Sequence, residues 1–217
     1  MSVRRLVLAI QFLTRLPTPQ VRDFRDDDLS RAAVYYPLVG VIIGALHLDG
    51  LGDVADAFGA AHRDPQRFLE VLKDPHMGVF GVVSLVMQLL LKFVLLAELS
   101  ASPLWYGIVL VPAWARWGTL WWSRLLPSLH GAGMAERFSW QLSLRSMWVW
   151  ALLLAVVTAF VAWPLLLALP LVALIAAWWR RRLGGISGDC LGASVEVTES
   201  LLLLALVLLG GVERVLP

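Results

Sequence analysis

The 217-residue chain reads as an all-α, polytopic membrane bundle of about five to six transmembrane or partly inserted helices, forming one domain over residues 1–217. Composition is the first reason. Hydrophobic residues make up 59% of the chain and charged residues 16%, and the mean hydropathy of +0.75 exceeds what a soluble core of this length needs. The second is that several apolar runs approach the ~20 residues needed to cross a bilayer's hydrocarbon core. The third is that arginines gather at the ends of those runs, as orientation in a membrane requires. A formal charge of +2 is too small to point to nucleic acid, and no nucleic-acid partner is expected. The single Cys190 excludes an intrachain disulfide and cannot alone form a thiolate metal cluster.

Taken in order, Arg4 and Arg5 precede a short apolar run without a small-residue cleavage site, which predicts an amphipathic interfacial helix rather than a removed signal peptide. Residues 32–46 are apolar but too short for a comfortable span. Residues 79–99, 103–122 and 200–216 are nearer the required length. Residues 147–179 form one apolar stretch broken at Pro164 and Pro170, read as two short spans joined by a tight turn near Trp163-Pro164, with one long kinked helix as the competing reading.

The connections at 61–78, 123–146 and 180–199 carry Arg63, Arg67, Lys73, Arg124, Arg137, Arg145, Arg180, Arg181 and Arg182, whereas 100–102 and the Pro164 region carry no Lys or Arg. Positive residues mark the cytoplasmic side. Four crossings between residues 78 and 180 return the chain to the face it left, so polar segments at 47–56 and 184–199 share that face.

The first of these segments, His47-Leu-Asp-Gly-Leu-Gly-Asp-Val-Ala-Asp56, holds Asp49, Asp53 and Asp56 at i, i+4 and i+7. On a helix they fall within an arc of roughly 60°. Three anions so placed repel one another unless a cation lies among them, and oxygen-only ligation suits a hard divalent ion such as Mg²⁺. The competing reading is an acidic helix start with solvated aspartates. Gly50 and Gly52 each weaken a helix by about 1 kcal/mol relative to Ala, which calls for a phosphate or another backbone close by. In the second segment, a helix starting near Ser187 would place Asp189, Gly192, Glu196 and Glu199 at i, i+3, i+7 and i+10, a second acidic stripe. The glycines ahead of it, Gly188 among them, offer backbone N–H groups to a phosphate, or simply a flexible connection.

Two cations lie within apolar runs. Arg116 is about 10 Å of helix from the cytoplasmic end of its span and either reaches a substrate phosphate or pairs with a buried carboxylate. Lys92 is read as structural, with Glu98 as its partner. Of the eleven tryptophans, Trp121, Trp122, Trp148, Trp150, Trp178 and Trp179 lie near span ends and suggest an interfacial belt.

The chain resembles the cobalamin synthase family, the adenosylcobinamide-GDP ribazoletransferases. The likeness runs through Phe12-Leu-Thr-Arg-Leu-Pro17, Tyr36-Pro-Leu-Val-Gly40, the HLDGLGDVADAF segment at 47–58, Leu72-Lys-Asp-Pro-His-Met-Gly78 with Gly81, Ala115-Arg-Trp117, and Ser187-Gly-Asp-Cys-Leu-Gly-Ala193 followed by Glu196 and Glu199. The resemblance implies a Mg²⁺-dependent phosphoryl-type transfer that joins adenosylcobinamide-GDP to α-ribazole or its 5′-phosphate and releases GMP. It further implies a multi-pass protein of the bacterial inner membrane with its active site toward the cytoplasm; a homo-oligomer is left open. Metal and catalytic roles fall to Asp49, Asp53, Asp56 and Asp189, with Glu196 as a further metal ligand. Substrate contacts fall to His47, Lys73, Arg63, Arg67, Arg116, Gly188 and Gly192. His47 either orients a carboxylate or is satisfied at a helix end.

Family members carry another membrane helix between the PLVG segment and HLDGL, where this chain runs Gly44-Ala-Leu-His47 directly. Two other classes stay open at this stage. One is a membrane phosphoalcohol transferase of the CDP-alcohol type, whose usual Ala-Arg pair does not follow Asp49. The other is a cation transporter, which would place its carboxylates near mid-membrane.

Overall fold

The computed structural model describes residues 7–8, 32, 46–61, 64–129 and 143–212. The expected N-terminal interfacial helix, the short run at 32–46, Arg63 and Arg137 lie wholly or almost wholly outside them. Among the described residues there is no strand, and the bundle consists of α1 (Leu46–Ala61), α2 (Pro65–Val71), α3 (Val79–Ser100), α4 (Leu110–Leu125), α5 (Leu144–Val161), α6 (Ala168–Leu183) and α7 (Gly188–Val212). Short 3₁₀ segments at Trp105–Val109 and Trp163–Leu167 lead into α4 and α6.

Four segments are long and apolar enough to cross a membrane: Val79–Ser100, Leu144–Val161, Trp163–Leu183 and Gly188–Gly210. The protein is therefore multi-pass. α3 shows the lipid-facing pattern most plainly. Its inward stripe is Gly81, Gln88, Leu95 and Leu99, spaced by seven or four, while Phe80, Val83, Met87, Leu90 and Phe93 are exposed around the rest. α7 is the opposite case, with 61% of its spanning window buried, and it forms the central post of the bundle.

Two of the expected spans need correction. The run at 103–122 is not one lipid-exposed crossing. It is a 3₁₀ turn followed by the 16-residue α4, of which Val111, Ala113 through Gly118, Leu120, Trp122 and Ser123 are buried. α4 is a core helix whose apolar face meets protein. Nor is 180–199 a loop before a helix at 200–216, because α7 is continuous from Gly188. Ser187 starts it, its Oγ accepting from the Cys190 N–H at 3.1 Å.

The stretch at 147–179 does divide in two. Ala162 leaves helical geometry at φ −161°, ψ 73°, and Trp163 and Pro164 open the next turn. Pro170 sits in the first turn of α6, where no intrahelical N–H is required of it. α6 ends on Gly184 at φ +75°, the left-handed cap that glycine adopts without strain.

The interfacial-belt reading of the tryptophans holds only in part. Trp148 and Trp178 are exposed, but Trp114, Trp117, Trp122 and Trp179 are buried. Their indole N–H groups tie helix to helix: Trp114 to Thr158 Oγ1 at 2.9 Å, Trp117 to the Met147 carbonyl at 3.0 Å, Trp122 to the Val172 carbonyl at 2.9 Å, and Trp179 to Ser194 Oγ at 2.8 Å. A ring that fills core volume and donates one hydrogen bond suits a packed membrane interior.

The helix ends pair up at two levels. At one, Ile186 N–H donates to the Pro127 carbonyl and Leu129 N–H to the Ile186 carbonyl, fixing the α6–α7 turn against the end of α4. At the other, Gly107 packs on Ala162 and Leu206, and Gly210 on Ser102 and Leu104. The starts of α3 and α7 thus lie on the arginine-rich face.

Helix α1 packs most extensively on α7 and next on α3, antiparallel to both, since His47 meets Gly192, Gly50 meets Asp189, Gly52 meets Leu85 and Asp56 meets Gly78. A Cβ on Gly50 would lie 2.7 Å from the Asp189 carbonyl oxygen, and one on Gly192 would lie 3.2 Å from the His47 carbonyl oxygen. The glycines in the acidic stripe therefore serve another backbone. Gly50→Ala is expected to force α1 and α7 apart and lower stability by about 1–3 kcal/mol, although alanine favours the helix itself. Gly188→Ala, with nothing within 4 Å of its Cβ, should melt close to the parent; a thermal scan of both in detergent checks this.

Candidate active site

The close approach at Gly50 and Gly192 brings the two acidic stripes together. Asp49 is exposed, and Asp53, Asp56 and Asp189 are half-buried. The carboxyl of Asp53 is pushed up to about 6, first by burial and then by the charges of Asp49, Asp189 and Asp56. Four carboxylates from two helices therefore share one electrostatic site. Among the described residues, neither Asp49 nor Asp53 has a hydrogen-bond donor or a cation on it. Among the described residues, no three His, Cys, Asp or Glu side chains converge as a ready-made coordination shell for one ion.

Asp56 is different in kind. Its two oxygens accept from the N–H groups of Gly78 at 2.7 Å and Gly81 at 2.8 Å, placing a negative charge on the amino end of α3. Glycine is needed at both positions, since a Cβ on either would run into the Asp56 carboxylate. Asp56 thus locks α1 to α3, whatever else it does. Asp56→Ala should lower stability by about 1–2 kcal/mol, and Asp56→Asn, which keeps one acceptor oxygen, should restore part of it; paired thermal melts read the difference.

Two expected site residues, Glu196 and Arg116, are engaged elsewhere. Glu196 is 2% exposed, binds Lys92 Nζ at 2.5 Å and accepts from Gln88 Nε2 at 3.1 Å, so its carboxylate is engaged apart from the aspartates rather than grouped with them as the expected further metal ligand. It lies two turns deeper along α7 than Asp189. Lys92 also binds Glu199 at 2.6 Å, which corrects the expected partner Glu98. Arg116, 2% exposed, is paired with Glu199 rather than turned to a phosphate. Two cations and two anions thus form a neutral buried quartet beneath the aspartates. Gln88 completes it by donating to the Glu196 carbonyl and to Ser200 Oγ, at 3.0 and 2.9 Å. Gln88 and Ser200 went unremarked in the sequence. The available signal was a polar residue one helical turn from a charged one inside each apolar run, Gln88 before Lys92 and Ser200 after Glu196.

His47 points into the bundle with its Nε2 unpartnered. Burial first, then Arg116 and Lys92, push it down to about 3. A neutral imidazole can accept or donate a hydrogen bond but brings no charge to a phosphate. Arg67 is exposed and paired with Glu70 at 3.0 Å. Lys73 is exposed on the segment that leads to Gly78. Open space surrounds Gly188 at the start of α7, and Gly192 is closed by α1. Arg63 is outside the described residues.

A multi-pass helical bundle with a carboxylate cluster at its arginine-rich face is the class of protein that this arrangement defines. The chain belongs to the cobalamin-5-phosphate synthase family, whose profile matches residues 5–46 and 41–207. It is similar to the adenosylcobinamide-GDP ribazoletransferase of Laribacter hongkongensis, at 46% identity over 244 aligned positions covering 94% of this chain and 97% of that protein. It is also similar to the enzymes of the same name from Thiobacillus denitrificans, at 43% identity with 99% and 97% covered, and Novosphingobium aromaticivorans, at 42% with 96% and 98% covered. No solved structure matches. The family match divides at residues 41–46, and an alignment of 244 positions is longer than the 217-residue chain. The relatives therefore carry residues that this chain lacks, and the division falls just ahead of α1, where the extra helix was expected.

Proposed function

We propose that this chain is an adenosylcobinamide-GDP ribazoletransferase, acting with Mg²⁺ at the cytoplasmic face of the bacterial inner membrane. The observation that carries the reading is the gathering of the Asp49, Asp53 and Asp189 carboxylates, whose mutual repulsion raises the Asp53 carboxyl, on helices that glycine allows to touch. Mg²⁺ suits such a set because it usually takes one or two carboxylates, keeps waters and completes its shell with substrate phosphates, so an all-protein cage is not required. When bound, it would neutralise charge on the diphosphate.

In the reaction, a ribazole hydroxyl attacks the phosphorus that carries the cobinamide, the diphosphate P–O bond breaks, and GMP leaves with the electron pair. Asp49, Asp53 and Asp189 would hold the ion. Asp53, with its raised carboxyl, is also the group suited to take the hydroxyl proton. The N-terminal turn of α7, open at Gly188, offers N–H groups to a phosphate oxygen. Lys73 is an exposed cation free to approach the diphosphate from the connecting segment.

The transporter reading loses its main support in the buried quartet. Glu196 and Glu199 lie deep along α7, but Lys92 and Arg116 already neutralise them. The deciding experiment supplies adenosylcobinamide-GDP and α-ribazole to membranes bearing the protein and follows GMP with and without Mg²⁺. Mg²⁺-dependent release supports the assignment. Absence of release from well-folded protein refutes it for this shortened chain.

A further inference from the structure

A cleft of about 650 Å³ lies between α1, α6 and α7, walled by Leu51, Val54 and Phe58 on α1, Leu174 and Trp178 on α6, and Val197 on α7. Leu174, Trp178 and Val197 are also exposed, at 66%, 47% and 41%, so the cleft opens sideways on the surface that faces lipid. Its polar lining is nearly nil. The Ser194 hydroxyl that borders it is already bonded to Trp179 Nε1 and the Cys190 carbonyl. A sugar or nucleotide would find no partner along these walls.

One end is charged. Arg181 lines the cleft at the last turn of α6, on the arginine-rich face. Its neighbours are occupied, Arg180 donating to the Leu125 carbonyl at 2.6 Å and Arg182 lying 5.4 Å over the Phe58 ring. Among the described residues Arg181 is exposed and has no ion-pair partner. The occupant this shape and charge require is long, apolar and anionic at one end.

We propose that the cleft binds one anionic glycerophospholipid, with an acyl chain in the groove that α6 forms against α1 and α7 and the headgroup phosphate on Arg181. Basic pockets between helices at a membrane face recognise such headgroups. The same two helices carry Asp53 and Asp189, so the lipid braces the pair of helices that builds the acidic site. The inference does not depend on which reaction that site performs.

The test places the full chain in bilayers of phosphatidylcholine mixed with phosphatidylglycerol, extracts it gently and counts retained lipid by native mass spectrometry. The parent should keep one phosphatidylglycerol in preference to phosphatidylcholine. Arg181→Gln, at an exposed position, should reduce that retention about fivefold. Val197→Trp, which fills the cleft from its lipid side, should abolish it, while Arg145→Gln on α5 should leave it unchanged. Equal retention of the two lipids, or full retention in both cleft variants, overturns the proposal. So does a lipid-free dimer of the parent that Val197→Trp dissociates, which would assign the cleft to a second copy of the chain.

Discussion

Asp53→Asn is expected to reduce GMP release by at least about 10³-fold while yielding a protein no less stable than the parent. On the proposed mechanism the loss follows from removing a charge that would hold a cation on the diphosphate, worth several kcal/mol in the transition state. The stability follows from the mutual repulsion within the carboxylate cluster. Asp53 titrates at about 6 in the folded protein against an ordinary 3.8, so between those values the folded state keeps a proton that the unfolded state has released. Stability therefore falls as pH rises through about 4 to 6, and at neutral pH the parent carries the cost of an unwelcome charge. Asparagine removes that cost. Because the group is only half-buried and solvent screens part of the repulsion, the expected gain is only about 1 kcal/mol. Mg²⁺ should flatten the parent's pH dependence and leave that of the variant nearly unchanged. Melting in detergent from pH 4.5 to 7.5, with and without Mg²⁺, reads both effects beside the GMP assay. A variant that loses activity by unfolding would instead melt earlier at every pH.

Periodicity explains which parts of this site were readable before any coordinates. The relative placement of Asp49, Asp53 and Asp56 is internal to one helix, and so is that of Asp189 and Glu196; 3.6 residues per turn fixes both. The glycines announced a close neighbour without saying which. Only the fold identifies it as the Asp189 backbone for Gly50 and the His47 backbone for Gly192. What a single helix's spacing cannot supply is the partner across space. Glu196 looked like a continuation of the Asp189 stripe, yet two turns of helix carry it down to Lys92. Arg116 could be read as reaching a phosphate or a buried carboxylate, and only the fold supplies the carboxylate, Glu199 on α7. Hydropathy misled in the same way at α4. It counts apolar residues without distinguishing lipid from protein as their surroundings, and so Trp114, Trp117 and Trp122 read as part of a crossing when they are the packing of a core helix. The division of the family match at 41–46 concerns the segment before α1, and the acidic pairing of α1 with α7 is complete without it.

Lys92→Met should be the most destabilising of the single substitutions considered, at about 3–5 kcal/mol. Lys92 joins Glu196 and Glu199 on the central helix to α3, and its loss leaves two buried carboxylates facing Arg116 alone. An uncompensated charge in a low-dielectric interior costs far more than the intact pair contributes. The prediction therefore has a second half. Lys92→Met combined with Glu196→Gln restores neutrality, leaves the Arg116–Glu199 pair in place, and should recover more than half of the lost stability. Glu196→Gln alone should cost less than Lys92→Met alone, because Lys92 keeps Glu199 and the glutamine side chain can still meet Gln88. Thermal melts of the two single variants and the double variant give the coupling directly. Additive losses would mean that the quartet acts by packing rather than by charge. A strong positive coupling would mean that the helices bearing Asp53 and Asp189 are held in register by a neutral ionic lock below them.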